Sequence, residues 1–116
     1  MSTLLTFSEE FLKEKKGYWT AKEITQQPLI WQQAATNIEI NRSQLNAWLT
    51  PLLAQENLRI ILTGAGTSAY VGDAIAPHLT TTVQRLFESI STTNIVANAP
   101  QYLLKSVPTL LISYGR

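Results

Sequence analysis

The chain has no cysteine and a single histidine, His78. Without thiols there is neither a disulfide framework nor a thiolate metal site. One histidine does not assemble a histidine-based metal centre, so no metal is expected. Charge is also sparse: 15% of residues are charged, against about 25% in ordinary globular chains. Faces this low in charge want covering by more protein. The net charge is +1, and no basic cluster is interleaved with aromatics, which excludes nucleic acid and a membrane surface as partners. No apolar run approaches the roughly 18 residues that a membrane-spanning helix needs. Met1-Ser2-Thr3-Leu4-Leu5 lacks the positive n-region and the apolar stretch of a signal peptide. A cytoplasmic location is expected.

What is present fits one small domain: 116 residues, of which 45% are apolar. Ser8 reads as the N-cap of a short helix, with Glu9 and Glu10 in its first turn and Lys13, Lys15 and Lys16 in its last. Gly17 is expected to stop that helix. Thr20-Ala21-Lys22-Glu23 has the capping-box pattern and predicts a second helix, interrupted near Gln27-Pro28. From Pro28, Leu29, Ile30, Trp31, Ala34, Ala35, Ile38 and Ile40 recur at helical spacing. Ser43 is expected to cap a further helix carrying Leu45, Trp48, Leu49, Leu52 and Leu53, which Pro51 limits or kinks. Residues 1–56 therefore read as an N-terminal helical segment.

The texture changes at Asn57. Leu58-Arg59-Ile60-Ile61-Leu62-Thr63 lacks polar alternation, as expected for a strand buried on both faces of a parallel sheet. Gly64-Ala65-Gly66-Thr67-Ser68 follows as a loop, and Ala69 to Leu79 has helical apolar spacing. A second strand is expected around Ile90 to Val96, a short helix over Pro100 to Leu104, and a third strand over Thr109 to Ser113. Residues 57–116 thus read as β-loop-α-β-α-β, an α/β fold with a parallel sheet. A closing parallel strand with no crossover helix after it leaves a sheet face partly bare, so the domain is expected to be incomplete or the product of a truncated reading frame.

The glycine loop carries the chemistry. Ligands of open α/β sheets bind at the carboxyl ends of strands. A glycine loop entering a helix offers free backbone N–H groups and a positive dipole end, which suit a phosphate. Gly64 and Gly66 permit a sharp turn and close approach, while Thr67 and Ser68 add hydroxyl donors or simply cap the helix. The same letters satisfy a degenerate dinucleotide fingerprint, which also wants an acidic residue at the carboxyl end of the second strand. Glu88 precedes the expected strand, and Ala97-Asn98 follows it, which weakens that reading. No Lys-Ser/Thr follows the glycines, so a P-loop is excluded.

The other residues have plain readings. Trp19, Trp31 and Trp48 are packing residues, placed against the sheet or against further protein. His78 follows Pro77 at an expected helix end and reads as solvated. Glu9, Glu10, Glu23, Glu39, Glu56 and Glu88 show no acid/base pairing and read as surface. Asp73, one turn into the helix, is placed to orient the loop or face a partner.

The run Leu58 to Asp73, with Gly64-Ala65-Gly66-Thr67-Ser68 at its centre, resembles the first strand and loop of sugar-isomerase (SIS) domains. Together with Trp19 to Pro28, Trp31 and Pro108 to Arg116, it is more narrowly similar to the tagatose-6-phosphate ketose/aldose isomerase group, understood as galactosamine-6-phosphate deaminase/isomerases. The resemblance implies a Rossmann-like SIS domain, of which this chain holds the N-terminal helices and the first three parallel strands. It implies an enzyme that opens an amino sugar 6-phosphate, moves a proton between carbons 1 and 2, and hydrolyses the resulting imine to ammonia and a ketose phosphate. No cofactor is implied. Two SIS domains and a homo-oligomer are expected of the full-length protein. The family's serine-rich phosphate loop would follow Arg116, and its acid/base residues lie further on. The resemblance therefore carries over only Gly64, Ala65, Gly66, Thr67, Ser68 and Arg116 as ligand contacts. No catalytic residue carries over, and the chain alone is expected to bind a phosphosugar partly and to be inactive. A non-catalytic phosphosugar-binding module, or an inactive truncated product, is the other reading.

Overall fold

The computed structural model describes residues 3–115 and divides into two compact units, Met1–Ala47 and Trp48–Arg116. The first opens with a small antiparallel hairpin, β1 (Thr3–Leu4) and β2 (Phe7–Ser8), turned by Leu5 and Thr6 at φ 53° and 73°. Ser8 then caps α1 (Glu9–Glu14), its hydroxyl accepting from the Phe11 N–H at 3.2 Å. Glu9 and Glu10 lie in the first turn and Lys13 in the last, as the dipole favours. Lys16, not Gly17, takes the left-handed position after the helix, at φ 56°, and the Gly17 N–H closes onto the Leu12 carbonyl at 2.8 Å. Gly17 instead serves as N-cap of α2 (Tyr18–Ile40).

Helix α2 corrects two expectations. The Thr20 to Glu23 capping box does not form, because the helix has already begun at Tyr18 and Thr20 lies within its first turn. Pro28 does not interrupt it. A proline removes one helical N–H, and here Lys22, Glu23, Gln26, Gln27 and Leu29, all good helix formers, carry the helix through. Helix α3 (Arg42–Leu53) likewise contains Pro51 close to its end. Among the described residues this first unit buries only Leu12 and Ala21. Trp19 and Trp31 are 68% and 64% exposed and so stand open to cover by further protein, one of the two settings the sequence suggests. No helix of the described residues is long and apolar enough to cross a membrane.

The second unit is a three-stranded parallel sheet in the order β4-β3-β5, with β3 at Arg59–Thr63, β4 at Phe87–Ser89 and β5 at Thr109–Ser113. The central strand is the core: Ile60 and Ile61 are fully buried and Leu62 and Thr63 nearly so. Helix α4 (Thr67–Val83) connects β3 to β4 and runs through Pro77, so His78 is an exposed residue inside a helix rather than at its end. Short helices α5 (Thr92–Ala97) and α6 (Ala99–Tyr102) connect β4 to β5.

The second strand stands earlier than expected. Residues 92–97 are helical because Ser91, Thr92, Thr93 and Asn94 are cap and turn formers, and Ile95 faces the core as a single buried position. Glu88 is consequently inside β4 and is not solvated surface. It forms a two-pronged ion pair with Arg59 at the start of β3: Nε donates to Oε2, and Nη2 donates to Oε1 at 3.1 Å. Arg59 Nη1 also donates to the Tyr102 carbonyl at the end of α6. Glu88 raises the Arg59 guanidinium above its ordinary pKa, chiefly by these hydrogen bonds, against the opposing effect of burial. Both side chains are about one-third exposed, which screens the pair. Arg59→Met is therefore expected to destabilise the fold by only about 1 kcal/mol, read as a lower urea midpoint at pH 7. A loss several times larger would mean that the pair is far better insulated than its exposure implies.

Candidate functional site

Strand β3 runs first to β4 on one side, and the chain then crosses to β5 on the other. Ligand sites in such sheets lie at the carboxyl ends of the strands where the connections diverge, here between β3 and β5. The loop Gly64 to Gly66 leaves β3 at that point and enters α4, a helix of 17 residues.

Each loop residue has a distinct setting. Gly64 is buried, and a Cβ there would meet Ser68 Cβ at 2.7 Å and its backbone carbon at 2.8 Å. Gly66 takes φ 57° and ψ −128°, a backbone region that glycine alone visits readily, with open space around it. Gly66 occupies the N-cap, so no side chain caps α4. Thr67 and Ser68 are the first residues of the helix and do not serve as its N-cap; that bland reading of them is set aside. Ala65, Gly66 and Thr67 are exposed and Ser68 is half-buried. The Ser68 and Ala69 N–H groups turn back onto the Ala65 and Gly66 carbonyls at 3.2 and 3.0 Å, giving a tight entry to the helix. The result is an exposed loop rim at the positive end of a long helix, which is suited to an oxyanion. Arg116 lies outside the described residues.

Residues that the sequence reading passed over brace this loop. Thr63 Oγ1 lies 3.0 Å from Thr92 Oγ1, and the Thr92 N–H donates to the Gly64 carbonyl at 2.9 Å. The Tyr114 N–H donates to the Thr63 carbonyl at 3.2 Å. Gly72 brings α4 onto the sheet, because its missing Cβ would stand 2.5 Å from the Tyr114 hydroxyl and 2.6 Å from Ser89 Oγ. A glycine inside a helical pattern was the available signal of close packing. The Tyr114 hydroxyl is enclosed with no hydrogen-bond partner among the described residues. Burial, with a smaller effect from Asp73, raises its pKa above the ordinary tyrosine value.

The dinucleotide reading fails on geometry. Its acidic residue would have to reach a ribose, yet the Glu88 carboxylate is engaged with Arg59. A cavity of about 240 Å³ lined by Trp48, Leu52, Leu58, Pro108 and Leu110 lies at the opposite, amino-terminal end of β3 and β5, away from the loop.

No protein-family model matches the chain. It is 52% identical, over 97% of its own length, to a D-galactosamine-6-phosphate deaminase of Shewanella sp. strain ANA-3, and covers 30% of that protein. It is 53% identical, over 86% of its length, to the D-galactosamine-6-phosphate deaminase of Escherichia coli, covering 26% of it. Among solved structures, the tagatose-6-phosphate ketose/aldose isomerase of Escherichia coli superposes with a TM-score of 0.83 at 47% identity, over 99% of this chain and 29% of that one. The chain thus spans about three-tenths of the length of these relatives or less.

Proposed function

Since the chain belongs, as a part, to the SIS-domain sugar isomerases of the tagatose-6-phosphate ketose/aldose isomerase and galactosamine-6-phosphate deaminase group, we propose that its glycine loop binds a phosphorylated amino sugar or ketose. One observation carries this reading. An exposed loop rim, Ala65 to Thr67, with glycine as the helix N-cap, stands at the carboxyl end of a buried parallel strand where the sheet connections diverge. Backbone N–H groups and two hydroxyls there meet several oxygens of one ligand, and neither positive side chains nor a metal is needed.

For the whole protein the reading is conversion of galactosamine 6-phosphate to tagatose 6-phosphate and ammonia, by a proton shift between carbons 1 and 2 and hydrolysis of the imine. The proton shift needs a general base. The loop supplies donors and no base, so this chain alone is proposed to bind without catalysing. Homo-oligomerisation of the full-length protein is part of the same proposal. It is supported by the exposed Trp19, Trp31, Ile38 and Ile40 of α2, which are suited to cover by more protein. A cytoplasmic setting accords with a phosphorylated substrate.

The test is a titration of the chain with galactosamine 6-phosphate and, separately, with galactosamine, following the amide resonances of residues 64–68. The phosphorylated sugar is expected to shift them with millimolar affinity, the unphosphorylated sugar is not, and no ammonia is released. Equal response to both sugars would remove the phosphate from the proposal, and no response to either would end it.

A further inference from the structure

We propose that Thr92 is a positioning residue for the glycine loop; its effect on ligand affinity rests on the phosphosugar reading above, while its effect on the loop does not. The segment after β4 holds three successive residues of β3 and the loop. The Ile90 N–H donates to the Leu62 carbonyl at 3.0 Å, Thr92 Oγ1 pairs with Thr63 Oγ1 at 3.0 Å, and the Thr92 N–H donates to the Gly64 carbonyl at 2.9 Å. Thr63 is only 3% exposed, so its hydroxyl lies where a hydrogen bond is strong and an unpaired group is costly.

Thr92 is the first residue of α5, where a backbone N–H has no partner within the helix. Donating that N–H outward to Gly64 therefore takes nothing from α5. On its other flank Gly64 abuts Ser68, so the base of the loop is fixed from both sides. The tip is different. Nothing lies within 4 Å of the position a Gly66 side chain would occupy, so packing does not brace it. The rim of the site inherits its place from Gly64, and Gly64 inherits part of its own from Thr92.

The experiment compares Thr92→Val, which keeps the shape and the N–H but loses the hydroxyl, with Thr92→Ser, which keeps the hydroxyl. The first readout is amide hydrogen exchange without ligand at Ser68 and Ala69, whose N–H groups are bonded to the Ala65 and Gly66 carbonyls. Thr92→Val is expected to speed it by about tenfold relative to the β3 amides, the equivalent of one hydrogen bond, while Thr92→Ser stays close to wild type. The second readout is affinity for galactosamine 6-phosphate, expected to weaken by about fivefold in Thr92→Val and to be restored in Thr92→Ser. Thr63→Val cuts the same pair from the other side and serves if Thr92→Val does not fold. A folded Thr92→Val or Thr63→Val with wild-type loop exchange overturns the proposal. If the wild-type chain binds no sugar phosphate, the phosphosugar reading fails, and the exchange comparison still decides the role of Thr92.

Discussion

Gly64→Ala is expected to destabilise the sheet-bearing unit by about 3 kcal/mol, the upper end of the usual cost of overpacking, and to abolish the loop's response to ligand. The added methyl would lie 2.7 Å from Ser68 Cβ, 2.8 Å from its carbonyl carbon and 2.9 Å from its carbonyl oxygen. Two of those three atoms are backbone in the first turn of α4, so relief requires moving the helix entry itself. The Gly64 carbonyl is meanwhile held by Thr92, which opposes movement of the loop. Gly66→Ala separates steric from conformational effects. Its methyl meets nothing within 4 Å, and only the backbone conformation, φ 57° and ψ −128°, resists it, at a cost of about 1–3 kcal/mol. Urea unfolding of both variants, with the slope unchanged, measures the difference. A Gly64→Ala chain as stable as wild type would show that α4 can slide along the sheet, and the picture of a fixed loop base would be lost.

The same glycines show what the sequence could and could not tell. Two of the three sheet strands were legible, because continuous runs such as Arg59 to Thr63 and Thr109 to Ser113 fit no amphipathic pattern and are bracketed by glycine or proline. Strand β4 was not. It is only Phe87–Ser89, too short for any periodicity, and is defined by its register with Ile60, Ile61 and Leu62. The β-branched residues Ile90, Ile95 and Val96 drew the expectation downstream into a helix, whose start is set by Ser91 and Thr92. The loop itself was legible, since glycines between a buried run and a helix have a local meaning. Its braces were not: Thr92 and Tyr114 reach Gly64 and Thr63 across the sheet, and no local pattern announces a long-range hydrogen bond. Pro28 failed as a stop signal for a related reason. One missing N–H is a weak local penalty against a run of good helix formers on both sides.

The contact between Gly72 and Tyr114 gives a second large effect, one whose sign depends on background. Alanine in place of a helical glycine ordinarily stabilises by roughly 1 kcal/mol. Here the methyl would stand 2.5 Å from the Tyr114 hydroxyl and 2.6 Å from Ser89 Oγ. The serine can rotate its hydroxyl away, whereas the tyrosine oxygen is fixed to a rigid ring, so Tyr114 decides the outcome. Gly72→Ala is expected to cost about 2 kcal/mol net in the wild-type background. Tyr114→Phe alone is expected to be neutral or mildly stabilising, because the hydroxyl it removes is enclosed without a partner among the described residues. In the Tyr114→Phe background Gly72→Ala should turn into the ordinary gain of about 1 kcal/mol, a coupling of about 3 kcal/mol in a double-mutant cycle. Additive effects would mean that α4 and β5 give way at this contact. Alkaline stability provides an independent check. Burial holds the Tyr114 phenol protonated above its ordinary value near 10, so the folded state binds that proton more tightly than the unfolded chain. Stability is then full below about pH 10 and falls as pH rises through the raised pKa, and Tyr114→Phe removes that part of the fall. An alkaline unfolding curve unchanged by Tyr114→Phe would place the hydroxyl in water, and the steric argument for Gly72 would go with it.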